Sequence, residues 1–211
     1  MIIAVVGAGG KTSYIKKCAK EYIKQGKNVF VTTSTHMYIE EDTLLTDEPE
    51  QIIQVLEKNH YVMAGIPEGK KIKALSRETY EKVCAHADVV LIEADGSKHM
   101  PLKYPRAGEP VIYPNVEEIV VVCGLHALGK PLSETCHRLD LVKQCLGEEE
   151  DRMVEPHHIQ KLIMEGYVRP LREQYPEKII RIKPSHDGSF EQKRIAGMLE
   201  EEKEMSGVKS L

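Results

Sequence analysis

No C-x-x-C pair occurs in the sequence, and its five cysteines, Cys18, Cys84, Cys123, Cys136 and Cys145, are widely spaced and odd in number. Such spacing argues against a disulfide framework or a zinc knuckle. Surplus positive charge is also missing: 29 Lys and Arg against 33 Asp and Glu give a net charge of −4, so there is no electrostatic footprint for nucleic acid. Long apolar runs are absent from the N-terminus, where Ile2 to Val6 is preceded by no basic region and opens directly into a structural motif. That stretch reads as neither a secretion signal nor a membrane span, so a cytoplasmic protein without a membrane partner is expected. There is no internal repeat.

What is present fits one α/β domain. The 211 residues hold enough apolar material for a core, and strand-length apolar runs alternate with helical periodicity. Ile2 to Val6 is followed by a helix over Thr12 to Gln25, with Ile15, Cys18, Ala19, Tyr22 and Ile23 on one face. Strands are predicted at 28–33, 61–64, 88–93, 119–123 and 178–183, and helices at 49–58, 76–85, 132–146, 156–166 and 190–203. Continuous rather than alternating apolar strands are buried on both faces, so the expected fold is a mostly parallel sheet flanked by helices. Residues 147–176, richer in charge and proline, read as a small helical insertion in that domain, and the tail from Ser206 as frayed.

The stretch GAGGKTS, Gly7 to Ser13, follows the first strand and opens the first helix. The dinucleotide fingerprint G-x-G-x-x-G fails, because Thr12 stands where the third glycine belongs and Thr32-Thr33-Ser34 stands where an acidic residue should follow the second strand. The phosphate-loop pattern G-x-x-x-x-G-K-[ST] keeps its Gly-Lys-Thr ending, but its first glycine would fall at Val5, inside the strand. A shortened phosphate loop is what remains. Backbone N–H groups at a helix N-terminus plus one lysine suffice to hold polyphosphate. On that reading Gly7, Ala8, Gly9, Gly10, Lys11, Thr12 and Ser13 bind a nucleotide, Lys11 as a surface point charge at the loop end and Thr12 offering its hydroxyl to Mg²⁺. The competing reading is a glycine-rich turn with an incidental lysine. G-x-x-G-K-T also resembles the ATP loop of Mur-type peptide ligases.

An acidic partner for the metal is offered by VVLIEADGS, where Glu93 and Asp95 would share a face by strand alternation. Two close, poorly solvated carboxylates raise one another's pKa unless a cation offsets them, which favours Mg²⁺ over a bare acidic corner. Glu93 and Asp95 are thus metal candidates, and with Lys11 the catalytic ones. Parallel strands would bring Thr33 and His36, after the second strand, and Cys123, ending IVVVC, to the same edge. The hydroxyls there either orient water or metal, or merely end a strand. Lys98, Lys103 and Arg106, with His99, form a basic stretch that is a solvated loop or the counter-charge to a polyphosphate or other bound anion. His157-His158 cannot converge on one ion from adjacent helical positions and reads as a solvated helix start after Pro156.

With these segments laid out, the chain resembles the YqeC family. The matching pieces are GAGGKTS, TTSTHM at Thr32 to Met37, EADGSKHMPLKYP at Glu93 to Pro105, GEPVI at Gly108 to Ile112, GLHALGKPL at Gly124 to Leu132, and His137-Arg138. The resemblance implies a P-loop-type protein that binds ATP or GTP with Mg²⁺ and serves the maturation of selenium-dependent molybdenum hydroxylases, which makes such a hydroxylase, or its cofactor, a partner. Two other functions stay open beside it: a Mur-like ligase or small-molecule kinase, and a binding chaperone without turnover. The Asn-Lys-x-Asp signature that reads guanine is replaced here by Ile182-Lys183-Pro184-Ser185-His186-Asp187, which tilts the base toward adenine.

Overall fold

The computed structural model describes residues 1–186 and 188–205, so the tail from Ser206 and Asp187 of the substituted guanine signature lie outside the described residues. The chain divides into two compact units, one of Met1–Val5, Thr12–Gly96 and Pro110–Glu117, the other of Val6–Lys11, Ser97–Glu109 and Glu118–Leu211. Both combine helices with strands that are mostly parallel.

In the first unit, strand β1 (Ile2–Gly7) leads through the glycine loop to helix α1 (Lys11–Lys24), and β2 (Val29–Thr33) follows. Beyond them come β3 (His36–Tyr38), β4 (Thr43–Leu45), α2 (Pro49–Asn59), β5 (Tyr61–Glu68), β6 (Lys71–Lys73), α3 (Arg77–Cys84) and β7 (Val89–Glu93). Neighbouring strands run β1, β7, β2, β5, all parallel, so β7 lies between two strands that precede it in the chain. Every residue of β2 and β7 is buried, which is why VFVTT and VVLIE show no alternation. The register sets Glu93 level with Val5 on one side and Thr33 on the other, so three strands end together at their carboxyl edge. Helix α2 buries Ile52 and Leu56 four residues apart, and α3 is capped by the Ser76 hydroxyl, which accepts from the Thr79 N–H.

Strand β5 runs four residues past its expected end. The second half of β5 pairs with β6 as an antiparallel ladder, and a Cβ on Gly65 would stand 2.8 Å from the Ile72 side chain that packs there. The three-residue strands β3, β4 and β6 are too short for any periodicity to reveal.

The second unit holds β8 (Leu102–Lys103), β9 (Glu118–Gly124), α4 (Leu132–Thr135), β10 (Cys136–His137), α5 (Leu139–Leu146), α6 (Pro156–Ile163), α7 (Arg169–Gln174), β11 (Ile179–Ser185) and α8 (Phe190–Met205). β9 and β11 are parallel over their full length. The single helix predicted over 132–146 is broken. Cys136 and His137 are extended and pair with Leu102 and Lys103, and Arg138 takes a left-handed conformation with φ 63°. The helix predicted over 156–166 instead passes at Met164 into a π-helical turn through Val168 and on into α7. Gly166 in that turn has Pro105 and Tyr104 so close that a Cβ would lie 3.0 and 3.2 Å from them. His158 also departs from expectation: it is buried, and its Nδ1 accepts the Glu155 N–H at 3.1 Å, so it caps α6 rather than facing solvent. Among the described residues no helix is long and apolar enough to cross a membrane.

Candidate functional site

The glycine loop is shaped by backbone that only glycine adopts easily. Gly7, Gly9 and Gly10 have φ of 92°, 75° and 122°. A Cβ on Gly7 would stand 2.1 Å from the Val122 carbonyl oxygen, and one on Gly9 2.6 Å from that of Pro101. Left-handed strain and overlap together put Gly7→Ala at on the order of 3 kcal/mol of lost stability. The loop is tied down: the Ala8 N–H donates to Val122 at 2.9 Å, and the Ser185 hydroxyl donates to the Gly9 carbonyl. Lys11 is not the surface residue that its place at a loop end predicts. It is only 3% exposed, and its Nζ donates to the Gly7 carbonyl at 2.7 Å, folding the side chain back over the loop it closes. Ser13 is exposed, and the first turn of α1 carries no acidic residue to oppose an anion at its N-terminus.

At the carboxyl edge of the first unit, the Thr12 hydroxyl donates to Glu93 Oε2 at 3.0 Å. Glu93 is 8% exposed and Asp95 is fully buried. Two contacts fix the Glu93 carbonyl from the β2 side, the Thr33 hydroxyl at 2.7 Å and the Ser34 N–H at 3.2 Å. Three hydroxyls at the end of β2 and just beyond it hold main chain: Thr32 donates to Ala64, Thr33 to Glu93 and Ser34 to Val111. Thr33 acts by positioning the acidic strand end. His36 is half-exposed, with Nε2 2.8 Å from Glu68.

In the second unit the basic stretch splits. Lys98 and His99 are exposed, at φ 49° and 62°. Lys103 is buried, and its Nζ lies 2.6 Å from Glu109 Oε2. Arg138 grips the same carboxylate with both terminal nitrogens at 2.6 and 2.7 Å, and Arg106 reaches it at 3.1 Å. Glu109 and Arg138 received no role from the sequence, because nothing in their types or spacing marks a partnership across 29 residues. Burial pushes the Glu109 carboxyl up, but hydrogen bonds from Arg138 and Lys103 and the charges behind them outweigh it and hold it at about 2. A depressed acid stabilises the fold above its ordinary range, near 4.5, and loses that contribution as pH falls toward about 2. Glu109→Gln should accordingly lower stability near neutrality, and denaturant titrations should show the gap to wild type closing across that acid window. A gap that is constant with pH would refute the ion-pair account.

Cys123 lies inside β9, wholly buried, and burial pushes its thiol up to about 12, so it stays protonated near neutrality and packs as an apolar group. Among the described residues, no group of three or more His, Cys, Asp or Glu side chains is placed to hold a metal by itself. Any ion at Thr12 and Glu93 would draw its remaining ligands from water and a bound phosphate, as Mg²⁺ commonly does.

The family model described as YqeC protein matches residues 3–140, a span that contains the glycine loop, both acids, Lys103, Glu109 and Arg138. A relative in Escherichia coli (strain K12), named Uncharacterized protein YqeC, is 34% identical over 149 residues, which make up 65% of this chain and 57% of that protein. The match therefore spans little more than half of the relative's length. On the strength of a family match covering most of its residues, from β1 to the start of α5, the chain belongs to the YqeC family.

Proposed function

We propose that this chain binds a nucleoside triphosphate with Mg²⁺ at the glycine loop, as a P-loop-type protein, and that its nucleotide cycle serves the maturation of a selenium-dependent molybdenum hydroxylase. The observation that carries the nucleotide reading is the hydrogen bond from the Thr12 hydroxyl to the Glu93 carboxylate. A loop threonine beside a strand-end acid is the pair that holds Mg²⁺ in P-loop nucleotide sites. Thr12, Glu93 and Asp95 would hold the ion, whose chemistry is to neutralise charge on the phosphate oxygens. Ala8 has committed its N–H to Val122, so the phosphate donors in this reading are the N–H groups from Gly10 to Ser13 at the start of α1. Lys11 would exchange its Gly7 carbonyl for a phosphate oxygen, a charge-assisted contact stronger than a neutral one. Catalysis is then positioning by Lys11, Glu93 and Asp95.

The base is expected to be read weakly or as adenine. The asparagine-led guanine signature is absent, and Lys183 in its place is paired with Glu200 at 2.7 Å. A site built to pair one base edge discriminates by about 10⁴, so GTP should not exceed ATP by such a factor. Titrating the purified chain with ATP and GTP, with and without Mg²⁺, tests this directly. Phosphate release without an acceptor supports a triphosphatase cycle, release only with a second substrate points to a ligase or kinase, and binding without turnover to a chaperone. Absence of any saturable triphosphate binding would remove the reading. For the maturation role, a deletion strain should lose activity of a selenium-dependent molybdenum hydroxylase while general growth is spared, and a fully active hydroxylase would sink it.

A further inference from the structure

The run Thr32-Thr33-Ser34-Thr35 ends β2 and continues past it with four consecutive hydroxyls. Three of them are spent on main-chain carbonyls, those of Ala64, Glu93 and Val111. Thr35 is the exception. Its backbone is fixed, since its N–H donates to Thr33 Oγ1 at 3.0 Å, yet its own Oγ1 is shut off from solvent and has no hydrogen-bond partner among the described residues. A hydroxyl taken out of water without a partner costs stability, and valine would fill the same space without that cost. Native proteins pair nearly all such groups, so an exception calls for a reason beyond folding. Its surroundings supply one. The Ser34 N–H donates to the Glu93 carbonyl at 3.2 Å, the Ser34 hydroxyl to the Val111 carbonyl at 2.7 Å, and the Val111 N–H to the Ala94 carbonyl at 3.1 Å, so the segments leaving β2 and β7 are tied to one another. The next residue on one is Thr35, and on the other the fully buried Asp95. Thr35 therefore stands at the carboxyl edge of the first unit, where Glu93 meets the Thr12 hydroxyl and where parallel sheets take up ligands. Of the four hydroxyls, it alone has its proton uncommitted.

We propose that Thr35 is a ligand-contacting residue of the Thr12–Glu93 site: its hydroxyl donates to an oxygen of the bound triphosphate, and the ligand thereby supplies the partner that the fold withholds. The inference rests on the nucleotide reading and adds to it a residue and a sign. Charged phosphate oxygens, with several lone pairs each, are the acceptors that suit such a donor best. The Thr35 hydroxyl lowers the stability of the ligand-free protein and raises affinity, a pairing of effects found where a functional group is kept at the expense of the fold. A structural hydroxyl behaves otherwise: its removal weakens the fold.

Thermal melts and calorimetry on the full chain read both signs. Without nucleotide, Thr35→Val should melt about 2–4 °C above wild type, as expected when a buried, unpaired hydroxyl gives way to a methyl group of the same shape. With Mg-ATP as the probe, the same variant should bind about tenfold to a hundredfold more weakly, the worth of a hydrogen bond to a charged group. Thr35→Ala, which adds no bulk, should lose affinity to the same extent, and Thr35→Ser, which keeps the hydroxyl, should stay within about twofold of wild type. Equal Mg-ATP affinity in wild type and in the two variants without a hydroxyl would overturn the contact and leave the nucleotide site standing. A Thr35→Val protein that melts below wild type would also overturn it, because the hydroxyl would then be holding the fold. No saturable Mg-ATP binding in wild type would remove the contact and the nucleotide reading together.

Discussion

Lys11→Met should lower affinity for a Mg²⁺–nucleoside triphosphate by about tenfold to a hundredfold, the worth of one charge-assisted contact to phosphate. The structure changes how this must be measured. A lysine that is 3% exposed and donates to Gly7 takes part in loop packing, so a loss of affinity could come from a collapsed loop. Methionine keeps the length and apolar stem of the side chain and removes only the charge and donors, and circular dichroism melts alongside calorimetry separate the two causes. Unchanged affinity in a folded Lys11→Met protein would eliminate the glycine loop as a nucleotide site.

The second large effect belongs to the acids. Glu93→Gln and Asp95→Asn should each abolish Mg²⁺-dependent turnover, with nucleotide binding retained in at least one, because lysine and helix N–H groups still hold the phosphates. Glu93→Gln is the milder structural change. Its amide oxygen still accepts from the Thr12 hydroxyl, and its main-chain carbonyl keeps both contacts from Thr33 and Ser34. Asp95 is fully buried, so Asp95→Asn needs the same stability control. If phosphate-release assays found both variants turning over normally, the acidic corner would be a turn and nothing more.

The parts of this architecture legible in the sequence are those governed by local rules. The first strand, the glycine turn and α1 announce themselves because an apolar run, positive-φ residues and helical periodicity follow in order, and VVLIE and IVVVC read as buried strands for lack of alternation. What stayed hidden depends on distant partners. Cys136 and His137 are strand only because Leu102 and Lys103 lie beside them, and two residues carry no period. Arg138 looks like a helical arginine until its φ of 63° and its hold on Glu109 are seen. The burial of Lys11 follows from a carbonyl that the glycine turn happens to aim at it. Glu93 is marked by its place at a strand end, whereas the Thr33 hydroxyl that holds its carbonyl stays, in sequence, between orienting water or metal and merely ending a strand, since a threonine at a strand end gives no sign of which neighbour it bonds.

The placement of β7 between β1 and β2 also bears on how the protein is made. β1 and β2 leave the ribosome first, yet neither has its shared neighbour until Val89 to Glu93 has been synthesised. At about 5–20 residues per second, several seconds separate Gly7 from Glu93, during which the glycine turn exists without the strand beside it. The strand that finally fills the gap is the one that carries the acid. Arrival of β7 between β1 and β2 and arrival of Glu93 beside Thr12 are therefore a single event in biogenesis, and a nascent chain that has not yet placed β7 lacks the carboxylate to which the Thr12 hydroxyl donates.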